Sequence, residues 1–488
     1  MASRGRHAWT AHVRARMLAR ITAACLLCGL AISWPLWRAE RDYPRVPAFE
    51  IWAPAAPVDL VWPVLFLAVA GWLAIRGPGR AAVVALVALA AWWCGADQSR
   101  LQPWFWQYVW MLAVLGLRSP GDDASARRAL GNCALIIAGT YFWSGWQKFN
   151  GGFVHDTFPW LMAPFTGGRP AGGPGMAAAG WLAGPFEAVA GLALLIPRAR
   201  AVAVAFLIAM HAFILSSVGP WGHDWNHVVW PWNLFMISAM LVLFPGGSGT
   251  RPDLLPPRLE QSGAWLVVFV WWLLPAASFV GWWDPYLSSS LYSGASLKGR
   301  LEVRDAVFDR LPDACRRAAR PLRPGWHLVS IQDWSVNALR ASAYPARRVL
   351  AGVGQAVADR APAAGDVTLV IEERPAWRTG ERSRTRVALA PRPGGPDAPH
   401  GTSTILPGEP GCITSRCARA ASASGSSRPI IGRSAPFSSP APIATYARLR
   451  SAGGALNSDM PRIDASRRIV RRGSNATAPR LPTTTMRP

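Results

Sequence analysis

Nine apolar stretches of spanning or near-spanning length run through the first 283 residues, near 18–37, 58–76, 81–96, 103–117, 129–148, 176–197, 201–218, 227–245 and 264–283. Lipid offers no partner to a free backbone N–H or C=O, so an apolar stretch of this kind crosses a bilayer only as a helix. The pattern predicts an all-α polytopic membrane domain over 18–283 with about nine transmembrane helices, after a basic cytoplasmic N-terminus at 1–17. The third and fourth stretches meet at Asp97-Gln98-Ser99-Arg100 and read as a tight hairpin closed by an Asp97–Arg100 pair. Composition agrees with this. Half of the chain (51%) is hydrophobic, and its 27 Trp suit aromatic belts at two membrane interfaces.

A net charge of +24 would usually suggest nucleic acid as a partner. Here the arginines sit mostly in short connections and in the C-terminal region, where they set topology. With the N-terminus inside, fourteen lie on the cytoplasmic side, among them Arg4, Arg6, Arg14, Arg16 and Arg20, against six basic residues outside. No small-x-small cleavage site follows the first stretch, so it reads as a signal anchor. The expected setting is a bacterial inner membrane with a cytoplasmic N-terminus and everything after Trp283 outside. The expected partners are the bilayer and an apolar small molecule or a membrane protein, with no nucleic acid.

Residues 284–388 read as a small extracytoplasmic α/β domain. Leu301–Val307 and Val367–Ile371 are its expected strands, and Asp309–Ala319 and Arg347–Arg360 its expected helices. It is too short for a large core of its own and is expected to lean on the membrane part. Over 389–488 the composition turns to Pro, Gly, Ser, Ala, Thr and Arg without apolar periodicity. That segment reads as a disordered basic tail, either genuine or an out-of-frame translation of GC-rich DNA.

Only two of the 51 basic residues are lysines, and one of them, Lys148, closes the fifth apolar stretch. An arginine cannot give up its proton in a protein, whereas desolvation disfavours the charged form of a lysine. Lys148 is therefore the candidate base, against the simpler reading of a lysine snorkelling to the headgroups. Glu187 and His211 fall inside the sixth and seventh stretches. An ionisable group at a helix centre costs about 2.5–3.5 kcal/mol to insert, so each needs a reason. Lys148, Glu187 and His211 are the candidate catalytic set. The alternative is that Glu187 and His211 bond each other and only lock helix packing.

Other signals are weaker. His223 and His227 are spaced i, i+4, which on a helix presents two imidazoles on one face, but no Glu completes a zinc-protease pattern. They are weak metal candidates, and no metal is expected. Cys25 and Cys28 have C-x-x-C spacing but lie in the first stretch, where two small apolar side chains are the simpler reading. No Walker loop, no dinucleotide-binding glycine motif after a strand and no nucleophile elbow is present.

The run Tyr141-Phe142-x-x-Gly145-x-x-Lys148, then Glu187-x-x-x-Gly191-Leu-Ala-Leu-Leu, then His211, resembles the membrane part of vitamin K-dependent gamma-glutamyl carboxylases. Those belong to the wider horizontally transferred transmembrane domain (HTTM) family. The segment from Glu187 to Met210, with its Arg198-Ala199-Arg200 turn, also resembles DoxX-like membrane proteins. The likeness spans about 95–250. It implies that Lys148 deprotonates a quinol, that Tyr141 and Gly145 help hold that group, and that the cofactor is a quinone. It does not extend to a carboxylase's large lumenal region, for which 284–388 is too small, so protein carboxylation is not implied. Two functions stay open: a quinol-dependent, carboxylase-like membrane enzyme, or a non-enzymatic scaffold or accessory subunit of a redox or assembly system.

Overall fold

Each of the nine apolar stretches falls on a helix, and three of the helices are long and apolar enough to cross a bilayer. The structure, a computed structural model, describes residues 10–49, 60–118, 122–167, 172–245 and 264–392. The tail from 393 onward, Arg4, Arg6 and the connection carrying Arg251 and Arg258 lie outside the described residues. The helices are α1 (Ala11–Ile32), α2 (Val61–Arg76), α3 (Arg80–Ala96), α4 (Pro103–Arg118) and α5 (Asp123–Gln147). They are followed by α6 (Pro174–Ala193), α7 (Arg200–Val218), α8 (Val229–Leu243) and α9 (Ala264–Val280).

The expectation of nine spans is corrected to three helices of spanning length among the described residues: α1, α6 and α7. The reason is geometric. The 16 residues of α2 rise about 24 Å, short of the ~30 Å hydrocarbon core. Helices α3, α8 and α9 are apolar but similarly short. Helix α5 has 25 residues but opens with Asp123, Arg127 and Arg128. The outward faces are membrane-like nonetheless. Trp72, Ile75, Phe186, Val189 and Val202 are all more than half exposed, which a water-facing surface rarely tolerates as continuous patches.

Helix α5 is the axis of the bundle. Asp122 caps its start by accepting from the Ser125 backbone N–H at 2.5 Å and from the Ser125 hydroxyl at 2.9 Å. From Ala129 to Tyr141 every residue is buried, the mark of a helix surrounded on all sides. The first helix starts earlier than expected, at Ala11 with Thr10 as its cap, so the basic N-terminus expected over 1–17 runs into α1. Two of the arginines counted on the cytoplasmic side then bond helix ends within the protein. Arg14 is buried and donates to the Val242 and Leu243 carbonyls at the end of α8, while Arg20 donates to the Ile75 carbonyl at the end of α2. Both satisfy carbonyls that the helix itself leaves open.

The hairpin at Asp97 forms with its expected pair, Arg100 lying 3.9 Å from the Asp97 carboxylate, and a closer partner joins them. Arg41 reaches Asp97 at 2.5 Å, both side chains nearly inaccessible. Arg100 also donates to the Leu36, Trp37 and Trp93 carbonyls. The cluster folds the connection after α1 onto the α3–α4 corner.

After α9 comes a five-stranded antiparallel sheet in the order β2-β3-β1-β4-β5, built from β1 (Lys298–Arg304), β2 (Ala319–Arg323), β3 (Trp326–Ser330), β4 (Val367–Glu372) and β5 (Arg384–Leu389). Leu389 pairs with Val367, so the ordered sheet runs one residue past the expected boundary at 388. Helices α10 (Ile331–Leu339) and α11 (Arg347–Ala358) accompany it; Val349, Leu350, Val353 and Val357 of α11 are buried in the core. As expected, the sheet region rests on the helices. Tyr43 meets Trp334 at 5.0 Å, and Arg348 bonds both Gln98 and Asp284. The Arg348 guanidinium is held above its ordinary pKa mainly by its hydrogen bonds to Asp284.

Candidate functional site

The site begins with two helices that touch backbone to backbone. A Cβ at Gly145 would lie 2.3 Å from the Ala188 backbone N and 2.5 Å from the Gly184 carbonyl oxygen. At Gly184 a Cβ would meet the Gly145 carbonyl oxygen at 2.7 Å, and at Gly191 it would meet the Phe142 backbone N at 2.7 Å. Small residues at such crossings let membrane helices approach closely. The crossing lays the last turn of α5 directly against the middle of α6.

That approach brings Lys148 to Glu187. Lys148 caps the C-terminus of α5, and its side chain turns back along the helix. Its ammonium donates to Ser144 Oγ at 2.7 Å and to Glu187 Oε2 at 2.5 Å, with the two charged side chains 11% and 6% exposed. Two of three N–H donors are committed within the protein, which leaves one for a ligand. Lys148 therefore does not reach out to headgroups alone.

His211 does not bond Glu187. Its Nε2 lies 2.6 Å from the Tyr141 hydroxyl and its Nδ1 lies 2.6 Å from Asn233 Oδ1. The Asn233 amide nitrogen donates to the Val229 carbonyl at 2.8 Å, which fixes Oδ1 as the acceptor. In the neutral imidazole, Nδ1–H then donates to Asn233 and Nε2 accepts from the Tyr141 hydroxyl. Tyr141, His211 and Asn233 thus form an oriented chain linking α5, α7 and α8.

Both groups line one cavity of about 80 Å³. Thr140, Tyr141, Ser144 and Lys148 form one wall, Glu187 another, Met210, His211 and Ile214 a third, and Val229, Trp232, Asn233 and Met236 the fourth. Leu161, Ser289, Leu291 and Tyr292 complete the lining. Ser289 and Tyr292 are both held at positive φ (59° and 56°), a conformation that non-glycine residues rarely take. Tyr292 accepts from Asn226 at 3.0 Å, and burial pushes its hydroxyl above the ordinary tyrosine pKa, so it stays protonated.

The three catalytic candidates therefore meet, and Tyr141 joins them. Gly145 is corrected: it does not line the cavity, because its Cα face is spent against Gly184 and Ala188. His223 and His227 are corrected too. The stretch between them is turn and irregular backbone rather than helix, so the i, i+4 face does not exist. His223 stacks on Trp160 at 4.1 Å and bonds its carbonyl, and His227 pairs with Asp224. Among the described residues no group of three or more His, Cys, Asp or Glu side chains is placed to hold a metal. Cys25 is half-buried and Cys28 exposed, both as free thiols.

Partial burial against Trp160 lowers the His223 pKa below the ordinary histidine value. The unfolded chain then binds more protons than the folded one between the two pKa values, so stability rises with pH across that window. Thermal unfolding is expected to move up as pH rises toward the ordinary histidine value of about 6.5 in the wild type, and less in His223→Gln. An equal slope in both proteins would remove His223 as the cause.

Sequence reasoning missed Ser144, Trp232, Asn233 and Tyr292. Asn233 left a trace, as a lone amide inside the apolar α8, and Ser144 stands one turn before Lys148. Tyr292 had no local signal that pointed to this cavity. Comparison with protein-family models, with curated proteins and with solved structures finds no match to this chain.

Proposed function

We propose that this chain is a multi-pass inner-membrane protein of the HTTM/DoxX-like type. In this reading the cavity around Lys148 takes the hydroxyl-bearing head of a quinol-like apolar substrate, and Lys148 is its base. The observation that carries the reading is the meeting of Lys148, Glu187 and His211, from three separate apolar segments, on one cavity. Costly intramembrane ionisable groups gathered at one place mark a site more readily than scattered ones do. The Lys148 ammonium first gives a proton to Glu187, the neutral amine then takes the hydroxyl proton of the head, and the Tyr141–His211–Asn233 chain orients that head through the Tyr141 hydroxyl. Helices α1, α6 and α7 cross the bilayer and the shorter apolar helices pack around them, with the N-terminus inside and the sheet domain outside.

The lining fits such a group chemically, since apolar Met210, Ile214, Trp232 and Met236 face the polar set. A second reading, a non-enzymatic membrane scaffold or accessory subunit, is favoured by the partners these groups already have inside the protein: Lys148 bonds Ser144 and Glu187, and His211 bonds Tyr141 and Asn233.

Lys148→Arg separates the two readings. It keeps the charge and the partner Glu187 but abolishes the base. With a reduced short-chain naphthoquinone as probe in nanodiscs and dissolved dioxygen as the electron acceptor, oxidation that begins with loss of the hydroxyl proton to Lys148 is expected to fall about 10²–10⁴-fold in the variant. Wild-type turnover by Lys148→Arg would remove the base and leave the scaffold reading.

A further inference from the structure

A second cleft lies one residue beyond Lys148 and takes no part in that chemistry. It is open, holds about 410 Å³, and is lined by Phe149, Trp181, Trp377 and Arg378. The three rings stand mutually edge to face: Phe149–Trp181 at 5.3 Å, Phe149–Trp377 at 5.8 Å and Trp181–Trp377 at 5.9 Å between centroids. Phe149 follows α5 and Trp181 is on α6, while Trp377 and Arg378 come from the connection between β4 and β5. That connection is held firmly. The Gly151 N–H donates to the Trp377 carbonyl at 2.6 Å, His155 bonds the Arg378 carbonyl, and a Cβ at Gly151 would lie 2.4 Å from the Gly380 backbone N.

Arg378 is exposed, and its guanidinium lies 5.1 Å from the Trp377 ring centroid. Among the described residues it has no carboxylate within ion-pair range. Leu182, Phe186 and Val189 of α6, at i, i+4 and i+7 spacing, are each more than half exposed and lead away from Trp181 along the outside of the bundle. Trp146, also more than half exposed, stands beside Phe149. A guanidinium without a carboxylate partner among the described residues thus sits above Trp377, and Trp181 beside it heads an outward apolar stripe.

We propose that this cleft binds an anionic phospholipid, with its phosphate on the Arg378 guanidinium, its glycerol region against Trp181, Trp377 and Phe149, and an acyl chain along Leu182, Phe186 and Val189. A planar guanidinium matches phosphate geometry, and tryptophan belongs at the depth where headgroup meets chain. The same guanidinium beside Trp377 opposes a quaternary ammonium in the cleft, so a choline head is disfavoured. Bound lipid would fasten the β4–β5 connection to the end of α5. The proposal holds whether Lys148 is a base or a structural residue.

The test measures lipid binding to the full-length protein in detergent by native mass spectrometry, with phosphatidylglycerol, phosphatidylcholine and inorganic phosphate as separate probes. Phosphatidylglycerol is expected to bind most tightly. Arg378→Gln should weaken it about fivefold, the factor that one basic residue contributes at an anionic surface, and Arg378→Lys should lose less. Trp377→Ala should weaken every phospholipid. Equal binding of phosphatidylcholine, unchanged phosphatidylglycerol binding in Arg378→Gln, or inorganic phosphate displacing the lipid at equal concentration would each overturn the proposal.

Discussion

Glu187→Gln is expected to destabilise the folded protein by about 3–5 kcal/mol, the usual loss when one member of a buried ion pair is removed. Lys148 keeps Ser144 and at most the neutral glutamine oxygen, so an ammonium only 11% exposed is left without a counter-charge. The pair itself is not a strong source of stability, because two desolvation costs offset most of its attraction. The double substitution Lys148→Met with Glu187→Met should therefore recover most of the loss. Equilibrium unfolding in mixed detergent of wild type, Lys148→Met, Glu187→Met and the double variant gives the coupling energy directly. A single substitution within about 1 kcal/mol of wild type would show that water reaches the pair freely. The double variant also decides function: folded but unable to oxidise a quinol means a reactive site, and folded with full activity means a structural one.

Gly145→Ala is the second large effect. Its methyl group would meet three backbone atoms of α6 closer than any real Cβ contact, and backbone cannot rotate aside as a flexible side chain can. The helices must separate, at a cost of about 1–3 kcal/mol for overpacking. Separation also stretches the 2.5 Å contact between Lys148 and Glu187, so quinol oxidation should fall with stability. Gly71→Ala is the control, because open space surrounds that position in α2, and it should be neutral or gain about 0.5–1 kcal/mol. If Gly145→Ala behaves like Gly71→Ala, the close crossing of α5 and α6 is wrong.

Much of the helical part was legible because burial in lipid demands long apolar runs, and these are visible one residue at a time. The number that span was not, since α2, α3, α8 and α9 differ from spanning helices only by a turn or so. The sheet was half legible. β1 and β4 show as apolar strands, but β2 and β5 are rich in arginine and carry no such pattern. Asp97 and Arg100 are neighbours in sequence, so their pair was legible, while the closer pair with Arg41 was not. Arg41 reaches Asp97 only because the connection after α1 folds back.

Composition and motif order alone determined that Lys148 is exceptional, and that Glu187 and His211 are costly where they stand. Those are one-residue facts, set by the price of charge in an apolar run. Only the tertiary structure decided who meets whom. Glycines at 145, 184 and 191 bring two backbones together, which gives Lys148 to Glu187, and the turn of α8 gives His211 to Asn233 rather than to Glu187. Such pairings depend on helix crossing and rotation. No local pattern in the chain encodes these, because each is settled by the packing of surfaces far apart in sequence.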